Sequence, residues 1–284
     1  MRAIRLWAVA CAVSLLPLGA AVAQPVPAAK PAPDAKPESS TFSPYSGQPG
    51  KDVVWVPTAQ ALVDRMLDMA GATTADYVID LGSGDGRTVI TAAKRGIRAL
   101  GVEYNPDMVA LSKANAEKEG VGEKARFVQG DIFKTDFSDA TVLTLFLLPE
   151  LNKRLRPTIL DMKPGTRVVS NTFDMGDWTP DQTISAGTDC TSFCTAFKWI
   201  VPAKAAGTWT VGNGELKLEQ TYQKVSGTLT QGGKEVPVEN GSLNGTAITF
   251  TAGGTRYSGT VEGGKLEAKA ENGAGALSGT RRGS

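Results

Sequence analysis

The chain has 284 residues, with 30 Lys and Arg against 29 Asp and Glu for a formal net charge of +1, and no histidine. That balance argues against a nucleic acid or other polyanion as partner. The missing histidine excludes His-based triads, His general bases and His-ligated metal sites, so chemistry falls to carboxylates, amides, Lys, Tyr and backbone groups, and no metal site is read.

The predicted elements begin behind an N-terminal segment outside the fold. Arg2 and Arg5 precede an apolar run from Leu6 to Val22 that ends in Ala21-Val22-Ala23 before Gln24, which reads as a secretory signal over residues 1–23 with an A-x-A cleavage site. Ser14 and Pro17 interrupt the run, and it is short for a bilayer span. The expected mature chain is therefore exported, periplasmic or secreted, and keeps no stable membrane span. Its charge becomes −1, with 28 basic residues against 29 acidic ones. Residues 24–50 are rich in Pro, Ala, Ser and Lys, and read as an extended linker that cannot bury enough surface to offset its ordering entropy.

From residue 51 to 204 helix and strand signals alternate. Leu62, Val63, Met66 and Met69 give an apolar face to a helix from Ala59 to about Ala70, started by Pro57 and Thr58. Strands follow at Tyr77 to Leu81, Arg98 to Glu103 and Arg126 to Gln129, with helices at Arg87 to Lys94 and Pro106 to about Lys118. Thr141 to Leu148 reads as a central strand buried on both faces, Pro149 opens a helix to about Met162, and Gly165 to Asn171 makes a fifth strand. Gln182 to Ser185 and Thr195 to Val201 read as an antiparallel pair at the sheet edge. The predicted fold is a Rossmann-like, doubly wound, mostly parallel α/β sheet with antiparallel edge strands, which binds ligands beyond the carboxyl ends of its strands.

Residues 205–284 form a separate small all-β meander in the sequence reading, closing into a barrel or a sandwich. Asn213-Gly214, Gly232-Gly233, Asn240-Gly241, Gly253-Gly254 and Gly263-Gly264 are its expected tight turns. Once Cys11 is removed with the signal, Cys190 and Cys194 remain, and such a close pair can form a short local disulfide or stay as two half-buried thiols.

The most informative stretch is Val78 to Arg87, VIDLGSGDGR. An apolar strand closes on Asp80, and glycines follow at Gly82, Gly84 and Gly86, a sharp strand-to-helix turn that leaves room for a ligand and points free N–H groups at an anion. The dinucleotide fingerprint would need glycine at Arg87, whereas G-x-G-x-G is the spacing of class I methyltransferases that bind S-adenosylmethionine. With that cofactor, Asp80 holds the glycine turn or receives an ammonium, Glu103 accepts from two ribose hydroxyls, and Asp131 accepts from the adenine amino group beside the Ile132 N–H. Each has an ordinary alternative: a turn or cap residue, a strand-end surface charge, a Gly-Asp turn. Their order at three successive strand ends is what points to a cofactor. Tyr104 either stacks on adenine or packs under the second helix.

VIDLGSGDGR, GVEYNP from Gly101 to Pro106 and QGDIF from Gln129 to Phe133 resemble the ordered cofactor motifs of class I methyltransferases. Together with Val56-Pro57-Thr58 and TLFLLPELNKRLRP from Thr144 to Pro157, the chain over about residues 52–202 is similar to the small protein-lysine N-methyltransferases that modify the ATP synthase c-ring protein and adenine nucleotide translocase. That resemblance implies a protein substrate and methyl transfer to a lysine amine, which needs positioning and desolvation more than a strong base. Leu148, Pro149 and Glu150 then stand as catalytic candidates that orient the amine, against the ordinary reading of a proline-started helix. FLLPE does not match the N-P-P-Y or D-P-P-Y of enzymes acting on nucleobase or glutamine amide nitrogens. Asn171, Asp174 and Trp178 sit where a substrate loop is expected, Trp178 reading equally as a plug that closes the domain. The alternative function is an exported S-adenosylmethionine-binding protein without transferase activity.

Overall fold

A computed structural model describes residues 42–273 and 275–283; the signal, Cys11 and the linker through residue 41 lie outside the described residues. The described residues belong to one compact unit. Its first elements are two short strands, β1 (Gln48–Pro49) and β2 (Val54–Trp55), paired as an antiparallel hairpin where the sequence suggests linker and domain start. Helix α1 (Gln60–Met69) follows and buries Leu62, Val63, Met66 and Met69 against the sheet, the face the helical spacing predicts.

The sheet is built from β3 (Tyr77–Leu81), β4 (Arg98–Glu103), β5 (Ala125–Gln129), β6 (Val142–Leu145), β7 (Arg167–Asn171), β8 (Gln182–Ser185) and β9 (Thr195–Ile200), with helices α2 (Arg87–Lys94), α3 (Pro106–Lys118) and α4 (Pro149–Leu160) between strands. The spatial order is β5-β4-β3-β6-β7-β9-β8, parallel through β7 and antiparallel at β9 and β8. The chain steps outward from β3 through β4 to β5 and returns to β6 on the other side of β3. That reversal opens a crevice at the carboxyl ends of these strands. β6 stops at Leu145, three residues before the expected end, and Leu148, extended ahead of Pro149 (φ −59°, ψ 153°), is already the cap of α4.

The C-terminal module is a closed eight-stranded antiparallel barrel: β10 (Gly207–Val211), β11 (Gly214–Thr221), β12 (Lys224–Gln231), β13 (Lys234–Asn244), β14 (Ala247–Ala252), β15 (Thr255–Glu262), β16 (Lys265–Ala270) and β17 (Ala276–Arg281). β17 seals the ring on β10, with Thr280 opposite Thr210. Trp209, Leu216, Leu229, Ile248, Phe250, Leu266 and Leu277 fill the interior, which makes it a packed core. Four of the five expected turns connect strands. The fifth, Asn240-Gly241, lies inside β13, where Asn240 takes φ +51° and the register shifts between Glu239 and Ser242, a bulge that bends the strand around the barrel.

Trp178 is the plug. It is fully buried, 5.8 Å from the stacked ring of Tyr222 in the β11–β12 turn and 6.0 Å from Trp199 of β9. Tyr222 Oη donates to Asp177 (2.8 Å) and Gln223 Nε2 to the Thr179 carbonyl (2.8 Å), so the barrel is docked on the seven-stranded sheet through this turn. Among the described residues no helix is long and apolar enough to cross a membrane.

Candidate functional site

One cleft of about 1050 Å³, its open mouth included, lies over the crevice and is lined by Asp80, Gly82, Gly84, Glu103, Tyr104, Asp131 and Ile132. These seven are the expected cofactor residues except Gly86. The glycine turn hangs from β4 by the Gly82 and Ser83 N–H groups, which both donate to the Val102 carbonyl (2.8 and 3.1 Å). Gly84 (φ +53°) has its bare face against the Trp55 indole, whose Nε1 lies 2.5 Å from where a Cβ would stand. Gly86 (φ +84°) caps α2 and packs on the Phe127 ring, 2.7 Å from a Cβ position. It sets the approach of helix to sheet rather than touching the cleft.

The acidic residues divide their tasks differently from the expectation. Glu103 holds the glycine turn: its Oε2 accepts from the Gly84 N–H (3.0 Å) and its Oε1 from the Asn105 N–H (2.9 Å). Both oxygens are fixed by one backbone donor each and keep lone pairs for further donors. Asp80 is buried and accepts from the Thr144 hydroxyl (2.6 Å). Burial, followed by the nearby charges of Glu103 and Asp85, pushes its carboxyl up to about 7 against the opposing Thr144 bond. Asp131 is held by Lys51 of the hairpin loop (Nζ to Oδ2, 2.8 Å), and that bond, with the Phe133 N–H on Oδ1, keeps its carboxyl below the ordinary range. Lys51 also lies 4.7 Å over the Tyr104 ring, which is half exposed at the rim and does not pack under α3.

Lys51 and Trp55 escape the sequence reading, and the residues from Gln48 to Thr58 roof the cleft. The one sequence signal for them is the short Val53-Val54-Trp55-Val56 run behind Gly50. Thr58 ties this roof down: its hydroxyl accepts from buried Asn171 (3.1 Å) and its carbonyl from Arg87 (2.8 Å), whose guanidinium also grips Asp85.

The catalytic candidates sit at the start of α4. The cleft wall at this end is Leu145, Phe146, Leu147 and Leu151; Leu148, Pro149 and Glu150 lie outside it. The Leu148 carbonyl is taken by the N–H groups of Leu151 and Asn152 (2.9 and 3.1 Å) as the first turn of α4 closes. Glu150 is exposed and paired with Lys153 (2.5 Å). Pro149 starts the helix and leaves Phe146 and Leu147 to face the cleft.

The residues fit S-adenosylmethionine. The buried, raised carboxyl of Asp80, bonded by the Thr144 hydroxyl and flanked by two further carboxylates, suits an ammonium. Glu103 has fixed acceptors for paired hydroxyls, and Tyr104 and Ile132 are apolar walls for a purine beside Asp131. A family described as the ANTKMT methyltransferase domain matches residues 80–182. A protein-lysine N-methyltransferase of Saccharolobus islandicus is 46% identical over 135 residues, 46% of this chain and 84% of that protein. The adenine nucleotide translocase lysine N-methyltransferase of Mus musculus is 34% identical over 39% of this chain and 50% of its own length. A solved Salinibacter ruber RNA methyltransferase in complex with S-adenosyl-L-homocysteine is 45% identical, covering 52% of this chain and 95% of that one, with a TM-score of 0.49. This chain belongs to the S-adenosylmethionine-dependent methyltransferase family of the protein-lysine N-methyltransferases.

Proposed function

We propose that this enzyme methylates a lysine side chain of a protein. The observation that carries the reading is the 46% identity to a protein-lysine N-methyltransferase across 84% of that relative. When bound, S-adenosylmethionine supplies an electrophilic methyl group. The chain's own residues do the rest: Glu103 would hold the ribose of the cofactor and Asp80 its ammonium, and the apolar wall of Phe146 and Leu147 excludes water where the amine must arrive. Desolvation there favours the neutral, nucleophilic amine, so no histidine base is required. Tritiated S-adenosylmethionine incubated with the full chain and cell extract tests this. Label recovered as methyl-lysine from a protein band is the expected result; label only in RNA overturns the lysine reading, and cofactor binding without any transfer would favour a binding protein.

Export is the second part of the proposal. The basic-apolar-A-x-A order of residues 1–23 supports it, and so does the bonded pair Cys190–Cys194, since disulfides persist in oxidising compartments. An alkaline phosphatase fused after Gln24 becomes active if the segment exports it. An inactive, cytoplasmic fusion refutes export.

A further inference from the structure

Three phenylalanines meet at the end of the cleft where the amine must enter. Phe146 follows β6 and lines the cleft, Phe173 follows β7, and Phe193 precedes β9. Because β9 runs antiparallel to β7, its beginning lies at the carboxyl edge of the sheet, with the Thr172 N–H donating to the Thr195 carbonyl (2.7 Å). The ring centroids are 5.4 Å apart for Phe146–Phe193, 6.0 Å for Phe146–Phe173 and 6.2 Å for Phe173–Phe193.

A plug would bury these rings, as Trp178 is buried. Phe193 instead stays 39% exposed. Phe193 also holds φ +55°, a conformation that a bulky residue rarely adopts and that surrounding structure must enforce. Phe193 lies within the five-residue ring that the Cys190–Cys194 disulfide closes, and both cysteines pack on the core.

We infer that Phe193, presented by the disulfide ring, is a specificity-determining residue that receives the apolar chain flanking the acceptor lysine. The occupant is an apolar polypeptide segment, because the touching rings of Phe146, Phe173 and Phe193 extend the apolar wall of the cofactor cleft outward from Phe146. The inference rests on the lysine reading above.

The test uses the full chain, tritiated S-adenosylmethionine and two decapeptides with a central lysine, one flanked by Leu, Ala and Gly and the other by Glu and Ser. The wild-type enzyme is expected to favour the apolar peptide at least tenfold in kcat/KM. Phe193→Ala should raise KM for that peptide about tenfold, Phe193→Leu should restore most of it, and the double variant Cys190→Ser/Cys194→Ser should lose the same preference. Binding of S-adenosylhomocysteine, read by calorimetry, should move less than twofold in Phe193→Ala. An unchanged KM in Phe193→Ala, preference for the acidic peptide, or an equal loss of S-adenosylhomocysteine binding overturns the inference alone. If neither peptide is methylated while extract protein yields methyl-lysine, the inference fails alone; if no methyl-lysine appears in either assay while S-adenosylhomocysteine binds, the lysine reading fails and takes the inference with it.

Discussion

Asp80 and Glu103 are both carboxylates at strand ends, yet their surroundings give them opposite behaviour. Asp80 titrates near 7 because burial disfavours its charge. A carboxyl raised on folding binds its proton more tightly in the native state, so its contribution to stability is full below about pH 4 and is lost as the pH rises to about 7. The ligand ammonium matches only the ionised form, which reverses the sign for binding. Affinity for S-adenosylhomocysteine should therefore fall about tenfold between pH 8 and pH 6, and Asp80→Asn should flatten that profile in calorimetric titrations. Glu103→Ala should weaken binding by an order of magnitude or more, since a hydrogen bond to a charged group is worth about 1.5–3 kcal/mol; affinity equal to wild type would remove Glu103 from the site. The positions of these acids were readable from their spacing behind the glycines. Their division of labour was not, because which one holds the turn depends on the direction of a backbone N–H at Gly84 that spacing does not encode.

At the scale of elements, the glycine turn separates into a residue that faces the cleft and one that packs the helix. Gly86→Ala would place a methyl within 2.7 Å of the Phe127 ring at φ +84°. Overpacking and left-handed strain together should cost about 2 kcal/mol or more, measured by urea unfolding, with α2 displaced from the sheet. The sheet itself was legible because long apolar runs and helix starts such as Asn105-Pro106, where the Asn105 side chain accepts from the Asp107 N–H (2.9 Å), are local signals. The roof was not. Its two strands have two residues each, too few for alternation to register, and its anchoring pair, Lys51 and Asp131, is 80 residues apart. The end of β6 failed for a related reason: Phe146, Leu147 and Leu148 continue the apolar run after the backbone has left the ladder, so hydrophobicity alone overextends the strand.

The whole molecule joins two modules of different construction through the β11–β12 turn, with the β13–β14 turn at Gly245 packed on Gly165. Tyr222 stacks on Trp178, donates to Asp177 and lies under Arg156, 5.2 Å from its ring. Tyr222→Ala removes this anchor and should convert a single calorimetric transition into two, with sheet and barrel melting separately; one unchanged transition would mean that the remaining contacts suffice. The meander was visible from its paired glycines, but its closure was not, since the pairing of β10 with β17 joins strands some 70 residues apart. That closure has a consequence for solubility. An open eight-stranded sheet would offer two rows of unpaired backbone groups to neighbouring chains, whereas in the ring every strand is paired on both sides. What keeps this glycine-rich module from self-association thus rests on the residues from Ala276 to Arg281, and a chain that lost them would expose a free edge at β10 and another at β16.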